Sequence, residues 1–290
     1  LVFKDKKVGN YVNNHFVSLR INALIGKGKE IRKQYKIKGF PTVLFLKADG
    51  TEVDRICGFD GKKEKYFSIL KEYAAGKNTL LGFKAKAAKN PESVELNFKI
   101  AKKYISRWEW EEAQPYFFEV LRLDKEDKHK FNTESKYYLA AYEAGYNKNP
   151  ASLISFIKTN TDKRFYNLSY SSLIRYYARK KEIPKVLATF DEALKKMPED
   201  IDCLNQYARY IFSNKIEEKY KLGEKLAKKA ISLGKEAYRS GYSNLVAYYI
   251  IEKDTETIKA TMAEALKKIP DNASLLNSFA WDIYKEKVNS

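Results

Sequence analysis

The chain has 290 residues, of which 44% are hydrophobic and 32% charged, with 55 Lys+Arg against 37 Asp+Glu and a formal net charge of +18. That length accommodates two domains with substantial cores, and the balance of apolar and charged residues excludes a disordered chain. No apolar run approaches the roughly 20 residues that cross a bilayer, and Cys57 and Cys203 are too few and too far apart for a disulfide framework or a zinc spacing.

In chain order, residues 16–21 alternate apolar and polar, which predicts a half-buried strand. Residues 22–28, rich in glycine and small residues, read as a loop, and 29–35 as a short basic helix. Residues 43–46 form an unbroken apolar run that predicts a central strand covered on both faces. Asp49-Gly50 is a hairpin signal, and residues 51–56 alternate as the partner strand. Pro41 stands just before the first of these strands, where its missing N–H costs no ladder bond, and is a candidate for a cis bond. Residues 61–75 space Tyr66, Phe67, Leu70 and Tyr73 as an amphipathic helix, and Gly76 marks its stop.

The order of these features resembles the second half of a thioredoxin fold, in which a cis-proline loop leads into a strand and a hairpin. Tyr35, Ile37, Gly39, Pro41, Thr42, Phe45 and Gly50 follow the family's spacing, with Ile37 in place of a valine. Upstream, Val2-Phe3, residues 5–9 and residues 11–22 resemble the segment after the redox motif in exported thioredoxin-like proteins of Bacteroidetes type. In that family a strand and a Cys-x-x-Cys motif come before this segment, and this sequence contains no Cys-x-x-Cys. The resemblance leaves two readings open. One is a remnant domain that keeps the family's peptide-docking loop, Phe40, Pro41 and Thr42. The other is a thiol–disulfide oxidoreductase whose motif lies upstream of Leu1. Either implies a periplasmic or otherwise exported protein.

Residues 77–90 read as a lysine-bearing, partly helical connector, which bounds a thioredoxin-like domain at 1–76 and a second domain at 91–290. Beyond residue 91 the text is helix, turn, helix, turn, with a period of about 34 residues. Ala113, Phe117 and Val120 mark one second helix. Val186, Phe190 and Ala193 mark another, and Ile258, Met262 and Ala265 a third, with Pro198 and Pro270 closing the last two. Val186 and Ile258 stand 72 residues apart, as do Phe190 and Met262, and Pro198 and Pro270. The pattern resembles tetratricopeptide repeats, in about five helix pairs with a terminal helix. The fold expected is therefore an α/β thioredoxin-like domain followed by an all-α tetratricopeptide superhelix, which stacks each pair's apolar stripe on its neighbours and leaves a concave groove.

Little in the sequence supports catalysis. His15 and His129, the only histidines, fall in different domains, and His15 reads as a surface residue. There is no phosphate-binding loop, dinucleotide fingerprint or zinc spacing, so no catalytic residue, metal or cofactor is expected. Trp108 and Trp110 read as packing between repeats. Residues 1–80 hold 17 Lys+Arg against 8 Asp+Glu, but the lysines are dispersed and form no arginine-rich block, which argues for solvated surfaces over a nucleic-acid site. Tyr138, Tyr176, Tyr210 and Tyr248 fall between the repeat anchors and are the groove candidates, since tyrosine combines a large apolar face with a hydrogen-bonding tip. The expected role is a protein-binding scaffold or adaptor with a protein or peptide partner.

Overall fold

The computed structural model describes residues 4–270 and 272–286. Helix α1 (Lys6–His15) starts at Asp5, whose carboxylate accepts the N–H groups of Lys7 and Val8 and so satisfies two of the donors that a helix start leaves open. Val8 and Val12, four residues apart, are its buried face. This helix is an addition to the elements expected from the sequence.

The strand expected at residues 16–21 does not form. Among the described residues the one sheet has two antiparallel strands, β1 (Thr42–Leu46) and β2 (Glu52–Cys57). Alternation yields a strand only where a neighbour pairs its backbone groups. Without one, Val17 and Leu19 stand 94% and 81% exposed, while Phe16 packs edge-on to Phe45 at 5.5 Å. The same two-stranded sheet corrects the expectation of a central strand. β1 pairs with β2 alone, Thr42 opposite Cys57 and Phe45 opposite Asp54. Within β1 only Phe45 is buried. The hairpin turns as the sequence indicates, with Gly50 at φ 82° and the Lys47 and Thr51 backbones hydrogen-bonded.

Helix α2 (Lys27–Gln34) lies between α1 and the sheet in sequence, and α3 (Lys63–Ala74) follows it. Tyr66 and Leu70 of α3 close a core with Val8, Val12 and Phe45. Most of the stretch expected as a connector is helix α4 (Leu80–Lys89), capped by Thr79, and its Leu80 and Phe83 pack with Ile100 of α5 (Val94–Ser106). Two compact units result, Leu1–Tyr142 and Glu143–Ser290. The first therefore holds the α/β region together with α4, α5 and α6 (Trp110–Leu123), and most of α7 (Asn132–Gly145).

The remaining helices are α8 (Ala151–Thr159), α9 (Tyr166–Arg179), α10 (Ile183–Lys196), α11 (Ile201–Ser213), α12 (Tyr220–Leu233), α13 (Tyr238–Ile251), α14 (Thr255–Lys268) and α15 (Ala273–Glu286). The anchors Ala113, Phe117, Val120, Val186, Phe190, Ala193, Ile258 and Ala265 are all buried. A single turn geometry recurs between paired helices. Trp108 after α5, Lys181 after α9, Lys215 after α11 and Lys253 after α13 all adopt φ between 52° and 61°. Each time that residue's N–H meets the carbonyl three back, and the next residue's N–H meets the carbonyl five back: Glu109 to Tyr104, Glu182 to Tyr177, Ile216 to Ile211 and Asp254 to Tyr249. This is the Schellman closure of a helix C-terminus, built here on non-glycine residues. Asn97 is a polar residue among the apolar ones of α5. It is buried, and its amide donates to the carbonyls of Pro91 and Ser93, closing the turn before α5. Among the described residues no helix is long and apolar enough to cross a membrane.

Candidate functional site

The loop between α2 and β1 carries the residues that the sequence marks as a docking ledge. The Phe40-Pro41 bond is cis. Thr42 Oγ1 donates to the Gly39 carbonyl at 2.8 Å, and the Gly58 N–H donates to the Pro41 carbonyl at 2.8 Å, so the loop is tied to itself and to the end of β2. Beneath it lies the indole of Trp108. A Cβ on Gly39 would stand 2.5 Å from Trp108 Cζ3, and one on Gly58 3.5 Å from Cζ2. A side chain at residue 39 would force the loop or the indole to shift, which glycine avoids. This corrects the reading of Trp108 as packing between repeats: it packs on the α/β region, while Trp110 meets Tyr138 edge-on at 5.7 Å. The outer face of the loop is open. Phe40 is 51% exposed, and its N–H and carbonyl have no hydrogen-bond partner among the described residues.

A buried ionic network fixes Trp108 where it is. Asp54, fully buried on β2, accepts from the N–H groups of Arg55 and Leu80 and from Arg107 Nη1 at 3.1 Å, and forms an ion pair with Lys103 Nζ at 2.8 Å. Arg107 also pairs with Glu109 at 2.6 Å and Glu52 at 2.8 Å, and Arg55 with Glu52 and Glu109. Burial works against the Arg107 charge, but the carboxylates of Glu109, Glu52 and Asp54 more than offset it and hold its pKa above the ordinary value. Lys103 Nζ donates to the Tyr73 hydroxyl at 2.6 Å, and burial together with the Asp54 charge keeps that hydroxyl protonated. Arg107 and Glu109 flank Trp108 in sequence, so the network ties the turn after α5 to β2 and to the first residue of α4.

Residues 1–74 match the family model of the thioredoxin-like domain. No curated protein matches the chain. The match spans residues 40–42 with their cis Phe40-Pro41 bond, the hairpin and α3. Trp108, Arg107 and Glu109 lie beyond the matched residues and brace that loop from outside.

Neither thiol is poised for exchange. Cys57 stands at the end of β2 with its Sγ 3.7 Å from the Arg107 carbonyl and 3.9 Å from Thr42 Oγ1, and burial pushes its pKa up. Cys203, buried in α11, is pushed up to about 12 by burial. His15 is exposed and stacks on Tyr11 at 3.9 Å, its Nδ1 2.8 Å from the Tyr11 carbonyl.

The four groove candidates divide. Tyr138 is half-buried, stacked on Phe117 at 5.2 Å, with its hydroxyl 3.0 Å from Lys102 Nζ. Tyr210 is half-buried 5.8 Å from Phe190, and burial raises its hydroxyl pKa. Tyr176 is buried and its hydroxyl donates to the Lys148 carbonyl at 2.9 Å. Tyr248, 1% exposed and stacked on Phe212 at 5.4 Å, is a core residue with no face left for a ligand.

Proposed function

We propose that this chain is a protein-binding adaptor, which holds an extended peptide of its partner on the ledge at residues 40–42 and does no bond-making of its own. The observation that carries this reading is the state of Phe40: an exposed ring beside main-chain donor and acceptor groups that have no partner among the described residues, on a loop braced by Trp108. An extended peptide is the ligand that satisfies such groups, because its backbone pairs with them while its side chains meet the ring. The raised thiol of Cys57 speaks against disulfide exchange by the cysteines present.

In the same reading the helices from residue 91 onward are a tetratricopeptide-type array, and the protein works in the periplasm or another exported compartment. The array is supported by the Schellman turn that recurs in four helix pairs, with Lys181 and Lys253 again 72 residues apart. Of the tyrosines singled out, Tyr138 and Tyr210 keep the exposure a binding surface needs.

The test is a titration of the whole chain with extended peptides selected against it from a displayed library. Phe40→Ala, and N-methylation of the peptide amide that pairs with residue 40, should each weaken binding, the second by about 0.5–1.5 kcal/mol for one hydrogen bond. Peptides indifferent to both changes but lost in Tyr138→Ala or Tyr210→Ala would move the binding site to the helices. Reduction of a disulfide substrate by these 290 residues would overturn the reading.

A further inference from the structure

Residues 27–38 carry six cations, Lys27, Lys29, Arg32, Lys33, Lys36 and Lys38, against one carboxylate, Glu30. The fold gathers five of them around one cleft. Helix α2 puts Lys29, Arg32 and Lys33 along its side. It then ends in a Schellman turn, in which the Lys36 N–H meets the Lys33 carbonyl and the Ile37 N–H meets the Arg32 carbonyl, with Lys36 at φ 48°. That turn folds residues 36–38 back beside the helix. The result is an open cleft of ≈ 520 Å³ lined by these five cations, its cationic rim, together with Ala23, the exposed Leu24 and Ile37.

The rim charge is not balanced from within. No ion pair among the described residues reaches Lys29, Arg32, Lys33 or Lys36, and Lys38 approaches a carboxylate only at 3.9 Å, that of Glu112. Among the described residues no carboxylate lines the cleft. Arg32 joins this cleft to the ledge. Its Nε donates to the Ile37 carbonyl, and its guanidinium lies 5.4 Å from the centre of the exposed Phe40 ring. Arg32 thus belongs both to the cleft and to the surroundings of Phe40.

We propose that the cleft selects the partner of the ledge: the peptide held at residue 40 carries acidic side chains that enter the rim formed by Lys29, Arg32, Lys33 and Lys36, with an apolar side chain on Leu24 and Ile37. This rests on the ledge reading given above and adds to it the chemistry of the partner. Charge complementarity selects the acid, and continuity through Arg32 selects a peptide over a free polyanion.

The experiment is fluorescence anisotropy on the whole chain with three probes. They are a short labelled peptide with one leucine among alternating glutamate and serine, its counterpart with glutamine for glutamate, and oligo(dT). The acidic peptide should bind on the order of tenfold more tightly than the glutamine form, several exposed charge contacts each adding a little. Lys29→Glu/Lys33→Glu, at two exposed side chains where the exchange should leave the circular dichroism spectrum unchanged, should bring the acidic peptide to the level of the glutamine form. Raised salt should weaken only the acidic peptide. Equal binding of both peptides overturns the cleft and leaves the ledge standing. Binding of neither overturns the ledge as well. Oligo(dT) binding tighter than the acidic peptide, and lost in the double variant, overturns the peptide assignment in favour of a polyanion site.

Discussion

Asp54→Ala is the perturbation that bears most directly on how the ledge is held. Asp54 is fully buried and receives two backbone N–H groups and two cations. Its removal orphans the Leu80 N–H at the start of α4, 2.9 Å from the lost oxygen. It also takes from Lys103 its carboxylate at 2.8 Å, while Arg107 keeps Glu52 and Glu109. Breaking a buried pair costs about 3–5 kcal/mol and an orphaned buried donor about 1–3. Because Arg107 remains paired, we predict a loss near the lower end of the combined range, about 4 kcal/mol. Asp54→Asn, which keeps the volume and one acceptor, should lose roughly half as much. Urea denaturation of the whole chain reads the magnitude, and hydrogen exchange of the Leu80 amide reads the place, since that amide should lose its protection first. A loss below about 1 kcal/mol with Leu80 still protected would refute the view that this network joins the ledge to the helices.

Gly39→Ala places a Cβ 2.5 Å from the Trp108 ring and should destabilise by about 1–3 kcal/mol; Trp108→Ala in the same chain should abolish most of that increment, and simple additivity in thermal melts would contradict the contact. Ala208→Leu, at a fully buried position of α11, should cost about 1–3 kcal/mol by overpacking, and an unchanged melting temperature would count against the helix pairing. Cys203 should resist iodoacetamide at pH 8 until the chain unfolds, as its thiol is pushed up to about 12 by burial. The sign of the linked effect follows from a folded pKa above the ordinary 9.0: the contribution is intact below pH 9 and is lost as pH rises toward 12, which stability curves across that range would show. Rapid labelling of native Cys203 at pH 8 would contradict its burial.

The elements written locally were legible. Asp49-Gly50 fixed the hairpin, the three-and-four spacing of Tyr66 and Leu70 fixed α3, and Pro41 marked the loop. Misreadings arose where a partner decides the outcome. Residues 16–21 alternate, but a strand needs a neighbour to take its amides, and none is present among the described residues. Helix α1 carries its signal in Asp5 and in Val8 and Val12, a stripe too narrow to stand out in a lysine- and asparagine-rich segment. The left-handed turn residues are lysines and a tryptophan where glycine would have announced them. Within the candidate site, Phe40, Pro41 and Thr42 are singled out by the resemblance to a thioredoxin cis-proline loop, and the Phe40-Pro41 bond is cis. Trp108 is not, because its partners Gly39 and Gly58 lie some 50 residues or more upstream. Asp54 and Arg107 read as ordinary charged residues of a strand and a helix end until the fold buries them together. Tyr248 occupies a gap between anchors in sequence, and yet the packing of Phe212 encloses it.

The central claim is that the ledge captures an extended chain. Its most direct test is amide chemical-shift mapping of the isotope-labelled protein during titration with the acidic peptide. The account predicts the largest shifts at Phe40 and Thr42, with smaller ones at Lys33 and Lys36. Shifts confined to the helices beyond residue 91, with the Phe40 amide unmoved at saturation, would contradict it.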